Sequence, residues 1–257
     1  MIIFNYILGT IRAVLMVLIM IVYLVVYLVT SLVYKRTPER DFRLRKNYLR
    51  LINPLLGVKV EVTGSPIKEP CLYVSNHRSF IDPFVVAPHV NVFFIAKAEV
   101  AKMPILSIGF DVTGVILVER DNQNSRSNTR EQMVSKISAG YNVLIYAEGT
   151  TGAYQQTKPF KMGTFSEAAK NGFKIVPVSV EYKTKKDRWA SGPIGPQYFK
   201  QIGKWRTHAR LHFGTPYFSE DRRELSKGVK EEINLNLSKL QQDWTEPFMP
   251  TPVEQIS

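Results

Sequence analysis

Leu72-Tyr73-Val74-Ser75-Asn76-His77-Arg78-Ser79-Phe80-Ile81-Asp82-Pro83 holds a strand, a polar loop and the start of a helix in one short stretch. The apolar run Leu72–Ser75 reads as a buried strand. Asp82-Pro83 reads as an N-cap followed by proline at the first helical position. Working outward, the same alternation recurs. Further strands are expected over Val58–Val62, Val92–Ala96, Val115–Val118, Asn142–Ala147, Lys174–Glu181 and His208–Phe213. Helices are expected over Asn128–Ala139 and Thr164–Lys170, stopped by Gly140 and Gly172, and over Glu224–Leu240. Strands alternating with helices predict an α/β fold: a mixed, largely buried sheet flanked by helices.

The chain has 257 residues, 45% hydrophobic and 11% aromatic, with a formal net charge of +12. This supplies a full core and excludes a disordered or collagen-like chain. A lone cysteine, Cys71, excludes an internal disulfide and a cysteine-based zinc site. The basic balance suits nucleic acid or an anionic membrane, and the position of the charge decides between them.

Between Met1 and Tyr34 the only charged side chain is Arg12, and Ala13 to Tyr34 is uncharged and rich in Leu, Val, Ile and Met. At about 1.5 Å per residue, that uncharged run matches the ~30 Å hydrocarbon core. No small-residue cleavage site follows, and no polar face exists, so residues 1–34 read as a membrane anchor. Next come Lys35, Arg36, Arg40, Arg43, Arg45, Lys46 and Arg50. A basic cluster beside an apolar segment marks the cytoplasmic side and pairs with anionic headgroups. Leu44, Tyr48, Leu51, Ile52 and Leu55 fall on one helical face. Residues 35–56 therefore form an amphipathic helix that lies on the bilayer or packs on the globular domain. With an α/β domain over 57–243 and a proline-containing tail over 244–257, the N-terminus is a membrane-anchoring helix or helix pair.

Three motifs carry candidate chemistry. In the strand-to-helix loop, residues five apart can fold back so that Asp82 accepts a bond from one ring nitrogen of His77, leaving the other as a base. The plainer reading makes Asp82 a cap alone. Tyr146-Ala147-Glu148-Gly149-Thr150-Thr151 follows another apolar strand, and its turn suits an anion or is an ordinary loop. Glu148 is unsuited to contact an anion directly and is better placed to hold a cation or the loop backbone. Arg120, at the end of Gly114–Arg120, can grip a phosphate or carboxylate, or pair with Glu119 or Glu148.

Asn-His-x4-Asp, Gly-x5-Arg, Glu-Gly-Thr and Val176-Pro177-Val178, in that order, resemble the glycerolipid acyltransferase family, whose best known members are 1-acyl-glycerol-3-phosphate acyltransferases. Phe94–Glu99, followed by Pro104 and Gly109, is also similar to that family. The resemblance spans about Leu72 to Val180. It implies that His77 is the general base for the acceptor hydroxyl and that Asp82 orients it. The hydroxyl then attacks an acyl thioester directly, without a covalent enzyme intermediate. It also implies that Arg120, Glu148, Gly149 and Thr150 serve the acceptor headgroup and that Lys97 stabilises an oxyanion. Many phosphate-using members carry Arg where this chain has Thr151, so one phosphate-binding cation is missing: either Lys158 or Lys161 replaces it, or the acceptor is a lipid with a different head.

The resemblance thus implies a membrane-bound O-acyltransferase moving a fatty acyl chain from acyl-CoA or acyl-carrier protein to a lysolipid, foremost 1-acyl-glycerol-3-phosphate, giving phosphatidic acid. A lyso-ornithine-type acceptor is the alternative, and a catalytically silent lipid-binding scaffold is the third reading. No cofactor or metal is implied. His208 and His212 fall on one strand face beside Arg210, a solvated face rather than a metal site. Lys183, Lys185, Lys186, Arg188, Lys200, Lys204 and Arg206 form a second basic region, either plain surface or a dock for carrier protein, coenzyme A phosphates or lipid. Nucleic acid is not expected, since no binding motif accompanies the anchor.

Overall fold

The computed structural model describes residues 2–102, 114–119, 121–189 and 191–244. Among the described residues seven strands form one sheet: β1 (Val58–Thr63), β2 (Leu72–Ser75), β3 (Phe93–Lys97), β4 (Val115–Val118), β5 (Val143–Tyr146), β6 (Ile175–Tyr182) and β7 (Thr207–Phe213). Their order is β1-β7-β6-β2-β5-β3-β4. Every pairing is parallel except β6 with β7, so the sheet is mixed.

The helices are α1 (Ile2–Ser31), α2 (Pro38–Leu55), α3 (Asp82–Val86), α4 (Gln123–Ser138), α5 (Gly163–Asn171), α6 (Ile194–Ile202) and α7 (Arg222–Leu240). Alternating strand residues serve opposite faces. Tyr73, Val176 and Val178 pack with α2, α3 and α6. Leu72, Val74 and Ile175 pack with α4, α5 and α7. Helices on both faces explain why all eight residues of β6 are buried.

The chain leaves β2 toward β3 on one side and leaves β5 toward β6 on the other. Between two such strands the departing connections diverge at the carboxyl ends, the usual place for a ligand site in sheets of this kind. His77 and Glu148 lie just beyond those two ends.

The N-terminal helices refine the sequence reading. On α2 the buried face is Phe42, Arg45, Leu49, Ile52 and Asn53, packed on the domain, while Leu51 is exposed. Tyr48 turns aside, its hydroxyl donating to the Met16 carbonyl of α1. The expected stripe is split because α2 has two neighbours, the sheet on one side and α1 on the other. α1 is one continuous helix with Ile3, Ile7, Val14, Leu18, Val22 and Val29 exposed. Helix α6 was not anticipated. Glycine and proline are poor helix formers, but Pro193 occupies the N-cap and Pro196 lies in the first turn, where no intrahelical donor is lost.

Candidate active site

Asp82 is the first residue of α3, after an Ile81 N-cap that makes no side-chain bond. The expected cap is therefore absent, because the carboxylate turns back toward the loop. Its Oδ2 accepts the backbone N–H of Arg78 at 2.7 Å and of Ser79 at 3.0 Å. The same oxygen lies 2.6 Å from Nδ1 of His77. Its Oδ1 accepts the Tyr182 hydroxyl at 2.6 Å. Backbone amides are donors only, so this oxygen acts as an acceptor and Nδ1 carries the proton toward it. In the neutral ring, Nε2 is then the free base. The Asp82 side chain is 0% exposed and that of His77 is 17%, so the acid is sealed and the base reaches solvent.

The backbone of His77 is clamped by the second motif. Its N–H donates to Glu148 Oε1 at 2.9 Å, and its carbonyl accepts the Gly152 N–H at 2.9 Å. Glu148 Oε2 accepts the Lys158 N–H at 2.9 Å. Both carboxyl oxygens thus hold loop backbone. Burial raises the Glu148 carboxyl above its usual range, and the two amide bonds, with the charges of Arg78 and His77, oppose that rise. The imidazole stacks on Tyr146 with centroids 4.1 Å apart and planes 15° from parallel.

Behind this loop lies a buried ionic group. Arg78 reaches Glu181 Oε2 at 3.2 Å and the carbonyls of Gly152 and Gln155. Arg188 takes Glu181 Oε1 at 3.1 Å. Asn76 both accepts from and donates to the backbone of Val180, extending the β2–β6 ladder with a side chain. Ser79 donates to Gln201 of α6 at 2.6 Å.

The remaining expected residues are placed as follows. Gly149 adopts φ +71°, a left-handed turn that favours glycine, and the stem of Lys161 crosses above it. Thr150 and Lys161 are exposed, and the Lys161 ammonium has no partner among the described residues. Thr151 offers its carbonyl to Nζ of Lys158 at 2.9 Å, and that ammonium also lies over the Tyr154 ring, so Lys158 is tied down. Lys97 ends β3 and pairs with Glu99 at 3.1 Å rather than with His77. Arg120, Pro104 and Gly109 lie outside the described residues. His208, Arg210 and His212 share one face of β7, and His212 Nδ1 lies 2.8 Å from the Thr63 hydroxyl.

Sequence reasoning did not assign roles to Asn76, Arg78, Tyr146, Glu181 or Tyr182. Tyr146 stands inside the second motif, a local signal. Tyr182 lies just past the expected strand Lys174–Glu181, with no local signal of a role.

The His77–Asp82 pair thus sits on a clamped loop at the carboxyl ends of two parallel strands, β2 and β5. Residues 59–181 match the family model described as Acyltransferase. The chain is similar to a lyso-ornithine lipid O-acyltransferase of Pseudomonas aeruginosa, 26% identical over 209 residues, covering 78% of this chain and 80% of that relative. It is also similar to a chloroplastic 1-acyl-sn-glycerol-3-phosphate acyltransferase of Brassica napus, 30% identical over 112 residues. That match covers 43% of this chain and only a third (33%) of the relative's length. The fold matches the crystal structure of the 1-acyl-sn-glycerophosphate (LPA) acyltransferase PlsC from Thermotoga maritima. The TM-score is 0.66 at 22% identity, covering 92% of this chain and 99% of that one.

Proposed function

We propose that this protein transfers a fatty acyl chain from a thioester, carried by coenzyme A or acyl-carrier protein, to the free hydroxyl of a lysolipid. The observation that carries the reading is the His77–Asp82 pair, whose geometry leaves Nε2 free at a partly open face. Nε2 takes the hydroxyl proton as the oxygen attacks the thioester carbonyl carbon, held about 3–3.5 Å away. The tetrahedral oxyanion collapses, the C–S bond breaks, and the imidazolium returns its proton to the departing thiolate. Lys97 is the candidate cation for the oxyanion, which requires it to exchange its Glu99 partner. Glu148 keeps the base in place through the backbone, while Gly149, Thr150, Thr151, Lys161 and Arg120 serve the acceptor headgroup.

The foremost acceptor is 1-acyl-glycerol-3-phosphate, giving phosphatidic acid, with Lys161 supplying the cation beside Gly149. A lyso-ornithine-type acceptor is the second reading. It is favoured by Thr151 in place of an arginine and by the longer span of similarity to lyso-ornithine lipid O-acyltransferases. Offering the purified protein both lysolipids with one labelled acyl donor decides between them. Transfer at least tenfold faster to lysophosphatidic acid is expected, and the reverse order moves the protein to the amino-acid lipids.

The protein works at the cytoplasmic surface of an anionic membrane, with α1 lying along one leaflet. What supports this seat is that α1 is tied to the domain in both halves. Arg12 donates to the carbonyls of Ile202 and Lys204 at 2.6 Å each and of Trp205 at 3.1 Å. Tyr198 donates to Gly9, and Arg40 to Tyr27. Trp205 is 67% exposed beside Arg206, suited to the headgroup layer. The chain has three tryptophans. With Trp189→Phe and Trp244→Phe, Trp205 emission in anionic vesicles is expected to be quenched most strongly by spin labels near the headgroup. Unquenched emission rejects this seat.

A further inference from the structure

Tyr182 reaches the site from β6, its side chain fully buried, and closes the one face of Asp82 that the catalytic loop leaves open. Oδ2 is shared by His77 Nδ1 and two amides, and Oδ1 belongs to the Tyr182 hydroxyl at 2.6 Å. Donors compete for one carboxylate. Each proton directed at it draws off charge and weakens its hold on the others.

We propose that Tyr182 is a positioning residue for the reaction inferred above, fixing the rotation of Asp82 and limiting how tightly Asp82 holds the imidazolium of His77. An imidazolium held too firmly returns its proton to the departing thiolate slowly, and one held too weakly leaves Nε2 a poor base. The phenol therefore balances the two halves of the transfer. Burial, joined by the Asp82 charge and hydrogen bond, raises the Tyr182 hydroxyl well above the ordinary tyrosine value, so it stays a protonated donor.

The groups facing the pair leave this role to Tyr182. From β5, Tyr146 stacks on the imidazole, but its buried hydroxyl has no hydrogen-bond partner among the described residues. Glu148 is engaged with two amides. Arg78 and Arg188 both go to Glu181, and Asp187 is held by Lys204 at 2.5 Å. Deleting one phenolic oxygen at residue 182 exposes no new charge to His77.

The test is Tyr182→Phe, read by kinetics and by proton NMR of the Nδ1–H shared with Asp82. The acid limb of kcat/KM against pH is expected to move up by roughly half a unit to one unit, because the freed carboxylate holds the imidazolium more strongly. Plateau kcat is expected to fall roughly three- to tenfold with the acceptor KM unchanged. The Nδ1–H resonance is expected to move further downfield. Site-specific 3,5-difluorotyrosine at 182, a stronger donor that preserves packing, is expected to move limb and resonance the opposite way, and it carries the test if the Phe protein folds poorly. An unmoved limb and resonance in both variants overturn the proposal and leave acyl transfer standing. The resonance needs no substrate, so if the unaltered protein transfers no acyl chain, the activity falls and the resonance alone decides the role of Tyr182.

Discussion

His77→Ala is expected to lower acyl transfer by about three orders of magnitude or more while leaving a folded protein. A positioned base contributes roughly 10²–10⁴ in rate, and this substitution also removes the proton source for the departing thiolate. The fold should survive because the backbone groups of His77 make the clamping bonds to Glu148 and Gly152, and alanine keeps both. Asp82 retains two amides and the Tyr182 hydroxyl, so no buried charge is stranded. The measurements are labelled acyl transfer to a lysolipid alongside thermal unfolding. Turnover within tenfold of normal, in a protein with an unchanged melting curve, would falsify the assignment of His77 as base.

Asp82→Asn separates an orienting carboxylate from a structural one. An asparagine oxygen can still accept from Arg78, Ser79 and His77, and its amide can donate to the Tyr182 oxygen, so packing is retained. The negative charge that supports the imidazolium is lost. By analogy with other His–carboxylate pairs, kcat is expected to fall by roughly 10²–10⁴, with the acceptor KM changed less than threefold. Rapid chemical-quench measurement of single turnovers locates the loss in the chemical step. A raised KM with normal kcat would instead place Asp82 in headgroup binding. Helix capping predicts neither outcome, since Ile81 holds the N-cap position of α3.

The strands were legible because burial on both faces leaves short apolar runs bounded by glycine, proline and polar residues. β2 and β4 coincide with expectation, and β3, β5 and β6 shift by a residue at their ends. Helix α4 begins at Gln123 rather than Asn128 because its first turns are polar, with Asn122 accepting from Ser125 as the cap. The short-range half of the site was equally legible, since His77 and Asp82 are five residues apart and a loop lets them meet. Tyr182 gave no such signal. It is 100 residues from Asp82 and falls just beyond the expected strand, so no local pattern links the two.

From its sequence alone this protein declares an apolar N-terminal helix, an α/β domain and a His–Asp loop after a buried strand. Each is written in neighbouring residues through periodicity, charge and turn chemistry. Tertiary structure alone decided which distant groups complete the loop. The order β6-β2-β5 sets Tyr182 on one side of His77 and Glu148 on the other. Strand order is a property of how the sheet assembles, since any parallel apolar strand satisfies its neighbour's backbone equally well, and no local pattern names the neighbour.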